Sequence, residues 1–186
     1  VVSERALREI HLKPFEIAVK EGNALSIMTS YNPINGVQTA SNYDLNTTIL
    51  RGEWGYTGMV MTDWWAIMND NVTGGESKRQ YVSYMVRSQN DLYMVVNNHE
   101  AKSNVLGDDL EDSVKNGTLT IGEMQRSVIN ILNFILQSPV IEREIKADNV
   151  ITSVFYFKVL IISMAFIGSR PGPGPPSKNL LDCLRK

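Results

Sequence analysis

Three apolar runs of strand length, 24–29, 59–62 and 91–96, each follow a stretch with helical spacing, and this alternation limits what the chain can fold into. Runs that are apolar on both faces must be covered on both. The arrangement that does so is a parallel sheet with helical crossovers, as in an α/β barrel or a doubly wound sheet. The helical stretches are Ser3 to Glu21, which Pro14 can break, Tyr43 to Trp54, which stops at Gly55, and Lys78 to Arg87. Tyr31-Asn32-Pro33-Ile34-Asn35-Gly36 reads as a polar loop after the first strand. A final helix, Thr120 to Leu136, opens on the capping box Thr120-Ile121-Gly122-Glu123 and sets Met124, Val128, Ile131, Leu132 and Ile135 on one face. Three strands cannot close a barrel.

Composition narrows the function classes. At 186 residues the chain has room for one ordinary domain and is shorter than the ~250 residues of a complete (β/α)8 barrel. Lys and Arg number 18 against 20 Asp and Glu, a net charge of −2, so no basic surface points to nucleic acid. Cys183 is the only cysteine and His11 and His99 the only histidines, too few for an internal disulfide or a zinc cluster. Charge is uneven along the chain: residues 1–150 carry a net −6 and residues 151–186 a net +4. The change falls beside an 18-residue apolar run, 151–168, interrupted by Lys158 and followed by a Pro/Gly-rich stretch, 169–177. We therefore read residues 1–145 as the folded body and 146–186 as an unrelated appendage. Its apolar run is a weak membrane candidate, short of the ~20 residues that span a bilayer. No leader of the secretory kind precedes Ser3, which gives an expectation of a cytoplasmic location.

Parallel α/β folds place their reactive groups at the carboxyl ends of strands. Asp63 follows the apolar run Met59 to Thr62 and precedes Trp64 and Trp65, and Tyr31 lies just past the end of the preceding strand. A carboxylate beside indole faces suits sugar chemistry, because indoles cover the apolar faces of a pyranose while the carboxylate attacks or stabilises an oxocarbenium-like centre. The competing reading has Asp63 capping the next segment and the tryptophans filling the core. Pattern alone favours that plainer alternative. The sequons at Asn46, Asn71 and Asn116 and the acidic cluster Gly107 to Asp112 read as incidental and as a solvated helix start.

Residues 2 to about 140 resemble the C-terminal part of the barrel domain of glycoside hydrolase family 3, the β-glucosidase and β-xylosidase group. The resemblance rests on three stretches: Ser3 to Phe15 (SERALREIHLKPF), Met28 to Gly36 (MTSYNPING) and Leu50 to Trp64 (LRGEWGYTGMVMTDW). Gln89 to Met94 is similar to the family's last barrel strand, with Ser88-Gln89 where the family has Ala-Gly. The resemblance implies a partial (β/α)8 TIM barrel made of the last three strands and their helices. It implies Asp63 as the nucleophile of a retaining β-glycosidase, Tyr31 as its orienting partner, Trp64 at the leaving-group side and Met28 on the strand beneath, packing below the pocket. His11 stands where the family more often has Tyr, on a helix, which suits a core or surface role. No metal or organic cofactor is implied; the partner is a β-linked glycoside or oligosaccharide.

The departures from the family pattern are equally informative. Nothing before the first helix corresponds to the family's sugar-gripping residues, and nothing after Asp63 resembles its acid/base domain. Glu53, Glu76 and Glu123 are the other carboxylates at hand, and Glu53 reads as a structural ion pair or cap. A retaining mechanism needs a second carboxyl ~5–5.5 Å from the first. The expectation is therefore a fragment of a β-glycosidase that is inactive and self-associating in isolation. The alternative is a non-catalytic carbohydrate-binding or membrane-tethered remnant of one.

Overall fold

The computed structural model of the chain describes residues 1–95, 104 and 106–139. Helix α1 (Glu4–Ala6) starts where Ser3 Oγ accepts the Ala6 N–H at 3.2 Å. It passes through a π-helical turn, Leu7–His11, to Leu12 and on into α2 (Lys13–Lys20). Pro14 sits in the first turn of α2, where a missing N–H loses no helical hydrogen bond, so the break falls just before it. His11 is exposed, on the helical segment where a surface role was open to it.

Strand β1 (Ser26–Met28) follows and is succeeded by β2 (Pro33–Ile34) and β3 (Val37–Gln38), an antiparallel hairpin. The expected loop at Tyr31 to Gly36 is thus partly strand. Asn35 and Gly36 form its turn with φ of 49° and 94°, the left-handed pair that a two-residue hairpin of this hand demands. A short 3-10 turn, Thr39–Ser41, and a π-helix, Asp44–Glu53, lead to β4 (Met59–Met61).

β4 is the central strand. It runs parallel to β1 in the register Ser26 to Met59 and Met28 to Met61, and on its other edge Met61 bridges Leu92, also in parallel. Val60 is fully buried against Leu50 and Tyr56, with Val19, Ile27 and Trp54 packed around them. The third strand expected over 91–96 reduces to that bridge at Leu92, and Val96 lies outside the described residues.

A second hairpin, β5 (Met68–Asp70) and β6 (Gly74–Lys78), fills the connection from β4 to α3 (Val82–Arg87). Lys78 was expected to open a helix and instead ends β6. The reason is the turn: Asp70 Oδ1 accepts the N–H groups of Val72 and Thr73 and the Thr73 hydroxyl, which reverses the chain and commits residues 74–78 to pairing. These bonds hold the Asp70 carboxyl below its ordinary range. At Gly74 φ is +75°, and a Cβ there would strike the carbonyl oxygen of Gly36, so the second hairpin rests directly on the turn of the first. Beneath it Ala40, Ala66, Met68, Val82, Met85, Val86 and Leu119 form the larger buried cluster.

Helices α4 (Leu110–Lys115) and α5 (Ile121–Leu136) complete the described chain. α5 begins at the expected capping box, with the Thr120 hydroxyl oxygen accepting the Glu123 N–H at 3.2 Å and Glu123 Oε2 accepting the Thr120 N–H at 2.8 Å. The boundary at 145, the apolar run and the Pro/Gly-rich stretch lie outside the described residues. No helix of the described residues is long and apolar enough to cross a membrane.

Candidate active site

The carboxyl end of β4 is tied down on both sides. The Asp63 N–H donates to the Thr29 carbonyl at 3.2 Å on the β1 side. On the other side the Thr62 N–H donates to the Leu92 carbonyl at 2.9 Å, and the buried Thr62 hydroxyl oxygen accepts the Met94 N–H at 2.9 Å. Asp63 is half-buried, and its Oδ1 accepts the Trp64 N–H at 2.7 Å. The strand end therefore fixes the backbone that carries this carboxylate more firmly than a free loop would.

Tyr31 comes from the loop after β1, and its hydroxyl donates to the Trp64 carbonyl at 2.5 Å. Partial loss of water around the ring and the nearby Asp63 carboxylate raise the phenol above its ordinary pKa, against a smaller opposing pull from Arg79. Trp64 and Tyr31 are 45% and 51% exposed, so neither fills the core. Trp65, also exposed, has φ of +55°, a left-handed conformation that a bulky residue rarely adopts. Its N–H donates to the Met94 carbonyl at 3.0 Å and its own carbonyl accepts Arg79 Nε at 3.2 Å, so both ends of the strained residue are anchored.

A buried ion pair sets the position of β4. Arg51, on the π-helix, donates from Nη2 to Asp91 Oδ2 at 2.6 Å, and the two side chains are 9% and 0% exposed. The same Oδ2 accepts the Val60 N–H at 3.0 Å, and Asp91 Oδ1 accepts Asn130 Nδ2 of α5 at 2.9 Å. Arg51 also donates to the carbonyls of Gly58 and Gln89. One carboxylate thus joins the π-helix, β4, the Leu92 segment and α5. Burial pushes the Asp91 carboxyl up against the opposing influence of Arg51, Val60 and Asn130. Burial likewise pushes the Arg51 guanidinium down.

Asp63, Tyr31 and Trp64 come together; Met28 does not join them. Met28 ends β1, is 54% exposed and lines a cavity of about 500 Å³ with Val1, Phe15 and Ile34, among others, a lining that includes none of those three residues. β1 has no partner on its other edge among the described residues, so none of them covers its last side chain.

Glu53 receives Arg8 through two bonds at 2.5 and 2.9 Å, the structural ion pair expected of it. Glu76 is held by Lys78 and by the Tyr81 hydroxyl, and Glu123 by its capping box. In the acidic cluster, Asp109 accepts the N–H and hydroxyl of Ser83, and Asp108 accepts the Leu110 N–H. Among the described residues no three His, Cys, Asp or Glu side chains gather to hold a metal. Asn46 and Asn71 are buried and hydrogen-bonded to backbone carbonyls, whereas Asn116 is exposed.

Sequence reasoning missed Arg79 and the strained backbone of Trp65. Both depend on the β5–β6 hairpin, which brings residue 79 back over the end of β4. The signal available was the Gly74-Gly75 pair between two short polar runs.

Parallel strands, with a carboxylate and exposed indoles at the carboxyl end of the central one, define a chain of mixed helix and strand. Comparison with known proteins says which one. Residues 1–134 match the model of the Glycosyl hydrolase family 3 N terminal domain, and the chain belongs to that family. A β-glucosidase from Ruminococcus albus is 46% identical over 151 residues, which is 81% of this chain and 15% of that protein. Among solved structures, a β-glucosidase from Paenibacillus barengoltzii is 64% identical with a TM-score of 0.76, covering 80% of this chain and 16% of that one. β-Glucosidase 3B from Thermotoga neapolitana, solved with α-D-glucose, is 33% identical with a TM-score of 0.61, covering 75% and 18%. The chain thus spans a small part of the length of the relatives it matches.

Proposed function

We propose that this chain carries the nucleophile side of the active site of a retaining β-glucosidase and forms the last three strands of a (β/α)8 barrel. The observation that carries the reading is Asp63, held at the carboxyl end of central β4 with Tyr31 and Trp64 beside it. In this mechanism an Asp63 carboxylate oxygen attacks the anomeric carbon of a terminal β-linked sugar. The glycosidic oxygen leaves with a proton from an acid, and water then cleaves the covalent glycosyl-enzyme with the same group acting as base. Tyr31 fixes the Trp64 peptide and faces the carboxylate, so it is a positioning residue. Trp64 offers its indole to the leaving group, and Met28 packs below the pocket where further barrel strands cover β1. No cofactor takes part in this scheme.

The acid/base is proposed to lie outside this chain, since Glu53, Glu76 and Glu123 are all engaged elsewhere. That same commitment favours a second reading for the chain in isolation, a non-catalytic carbohydrate-binding remnant. Exposed Phe15 and Met28, which line the cavity at β1, support the fragment reading, because further barrel strands would cover them. An uncovered parallel edge also favours self-association of the free chain. Glucosides are the proposed substrates on the names of the relatives.

The test uses a graft in which residues 1–134 replace the matching segment of the Paenibacillus barengoltzii β-glucosidase. Trapping with a 2-deoxy-2-fluoro-β-glucoside, then digestion and mass spectrometry, should find the sugar on the peptide containing Asp63. A label on any other carboxylate sinks the assignment.

A further inference from the structure

Arg79 stands beside this site without a role in it. The residue is exposed at the end of β6. Its Nε donates to the Trp65 carbonyl at 3.2 Å, and its guanidinium lies over the Trp65 ring at 5.8 Å from the centroid. Nε is therefore committed, while the terminal amino groups make no hydrogen bond or ion pair among the described residues. The carboxylate nearest in sequence, Glu76, is taken by Lys78 and Tyr81. A planar cation, oriented by one hydrogen bond and one ring contact, thus stands beside an exposed tryptophan pair with no partner for its terminal amino groups among the described residues.

The position matters because of Asp63. An anionic leaving group would approach a carboxylate and be repelled. Loss of water and Asp63 raise the Tyr31 phenol and Arg79 lowers it by less, so both charges reach one hydroxyl and the cation relieves part of the repulsion there. Arg79 likewise pulls the Tyr93 phenol down against the upward effect of burial. A guanidinium also suits a carboxylate better than an ammonium would, since two parallel N–H groups can meet two oxygens.

We propose that Arg79 is a specificity-determining residue that selects β-glycosides whose leaving group is an aromatic ring bearing a carboxylate, the ring lying against Trp64 and the carboxylate on the outer N–H groups of Arg79. The inference rests on the proposed glycosidase reading of this face and names the substrate class it favours. The preference is modest, because a charge pair at an exposed rim is partly screened by water and salt.

The experiment measures kcat/KM of the graft, and of its Arg79 variants, for two aryl glucosides. The probes are 4-carboxyphenyl β-D-glucoside and its neutral 4-carbamoylphenyl counterpart. Relative to Arg79→Gln, the unaltered graft should favour the charged over the neutral probe about fivefold, and Arg79→Lys should keep part of that preference. Added salt should shrink it. A charged-to-neutral ratio unchanged in Arg79→Gln overturns the role of Arg79 while the glycosidase reading stands. A folded graft that turns over neither probe overturns that reading and the inference with it.

Discussion

Replacing Asp91 separates two accounts of what holds β4 in place. In Asp91→Ala, Arg51 keeps its carbonyl partners but becomes a buried cation without a counter-charge, and the Val60 N–H and Asn130 amide lose their acceptor. Breaking a buried pair in this way costs about 3–5 kcal/mol. In Asp91→Asn an oxygen still faces Val60 and Arg51, and the Asn130 amide can turn to present its own oxygen to the new NH2. The lost attraction is opposed by relief of the burial penalty that pushes the Asp91 carboxyl up, so the cost should be about 1 kcal/mol. The pH dependence has a definite sign. A carboxyl raised by folding contributes stability that is fully present below its unfolded value and lost as pH rises through its folded value. Asparagine lacks that loss, so the stability gap between wild type and Asp91→Asn should narrow as pH rises from the unfolded carboxyl range to neutrality. Urea unfolding of the chain, followed by tryptophan fluorescence and circular dichroism across that range, measures it. A gap that widens with pH, or an asparagine variant as unstable as alanine, would show that the attraction to Arg51 outweighs the burial cost and refute the reasoning.

Two further substitutions probe the site and its support. Tyr31→Phe removes the hydroxyl that holds the Trp64 carbonyl; losing about 1–1.5 kcal/mol of positioning should lower kcat of the graft about tenfold with KM little changed, and steady-state kinetics on an aryl β-glucoside would show it. Thr120→Ala deletes the hydroxyl half of the capping box and should lower unfolding stability by about 1 kcal/mol, with Thr120→Ser restoring it, as urea midpoints would record.

How much of this was legible in the residues depends on the range of the interactions. Local signals carried far. Thr120 and Glu123 announce α5, and the apolar run ending in Thr62 announces β4. Asp63 beside two tryptophans marked the candidate site, where the structure gathers Tyr31 as well. Illegible were the features made by chain reversal. The Asp70 turn converts Lys78 from helix opener to strand residue and delivers Arg79 to the site, and no periodicity encodes that. Asp91 read as the start of a strand, yet its function is to join four segments distant in sequence, visible only after folding. The family resemblance put Met28 below the pocket, and the neighbour that would cover it there is not among the described residues.

The central claim is that Asp63 is the nucleophile, and the stereochemistry of rescue tests it most directly. In Asp63→Gly of the graft the covalent route is gone, and hydrolysis of 2,4-dinitrophenyl β-glucoside should fall by orders of magnitude. Azide is small enough to enter the space left by the side chain and attack the anomeric carbon from the α face as dinitrophenolate departs. The account predicts recovered turnover with α-glucosyl azide as the product, identified by its NMR anomeric coupling. A β-glucosyl azide, formed with retention, would mean that the residue removed was an acid/base, and would contradict the assignment of Asp63.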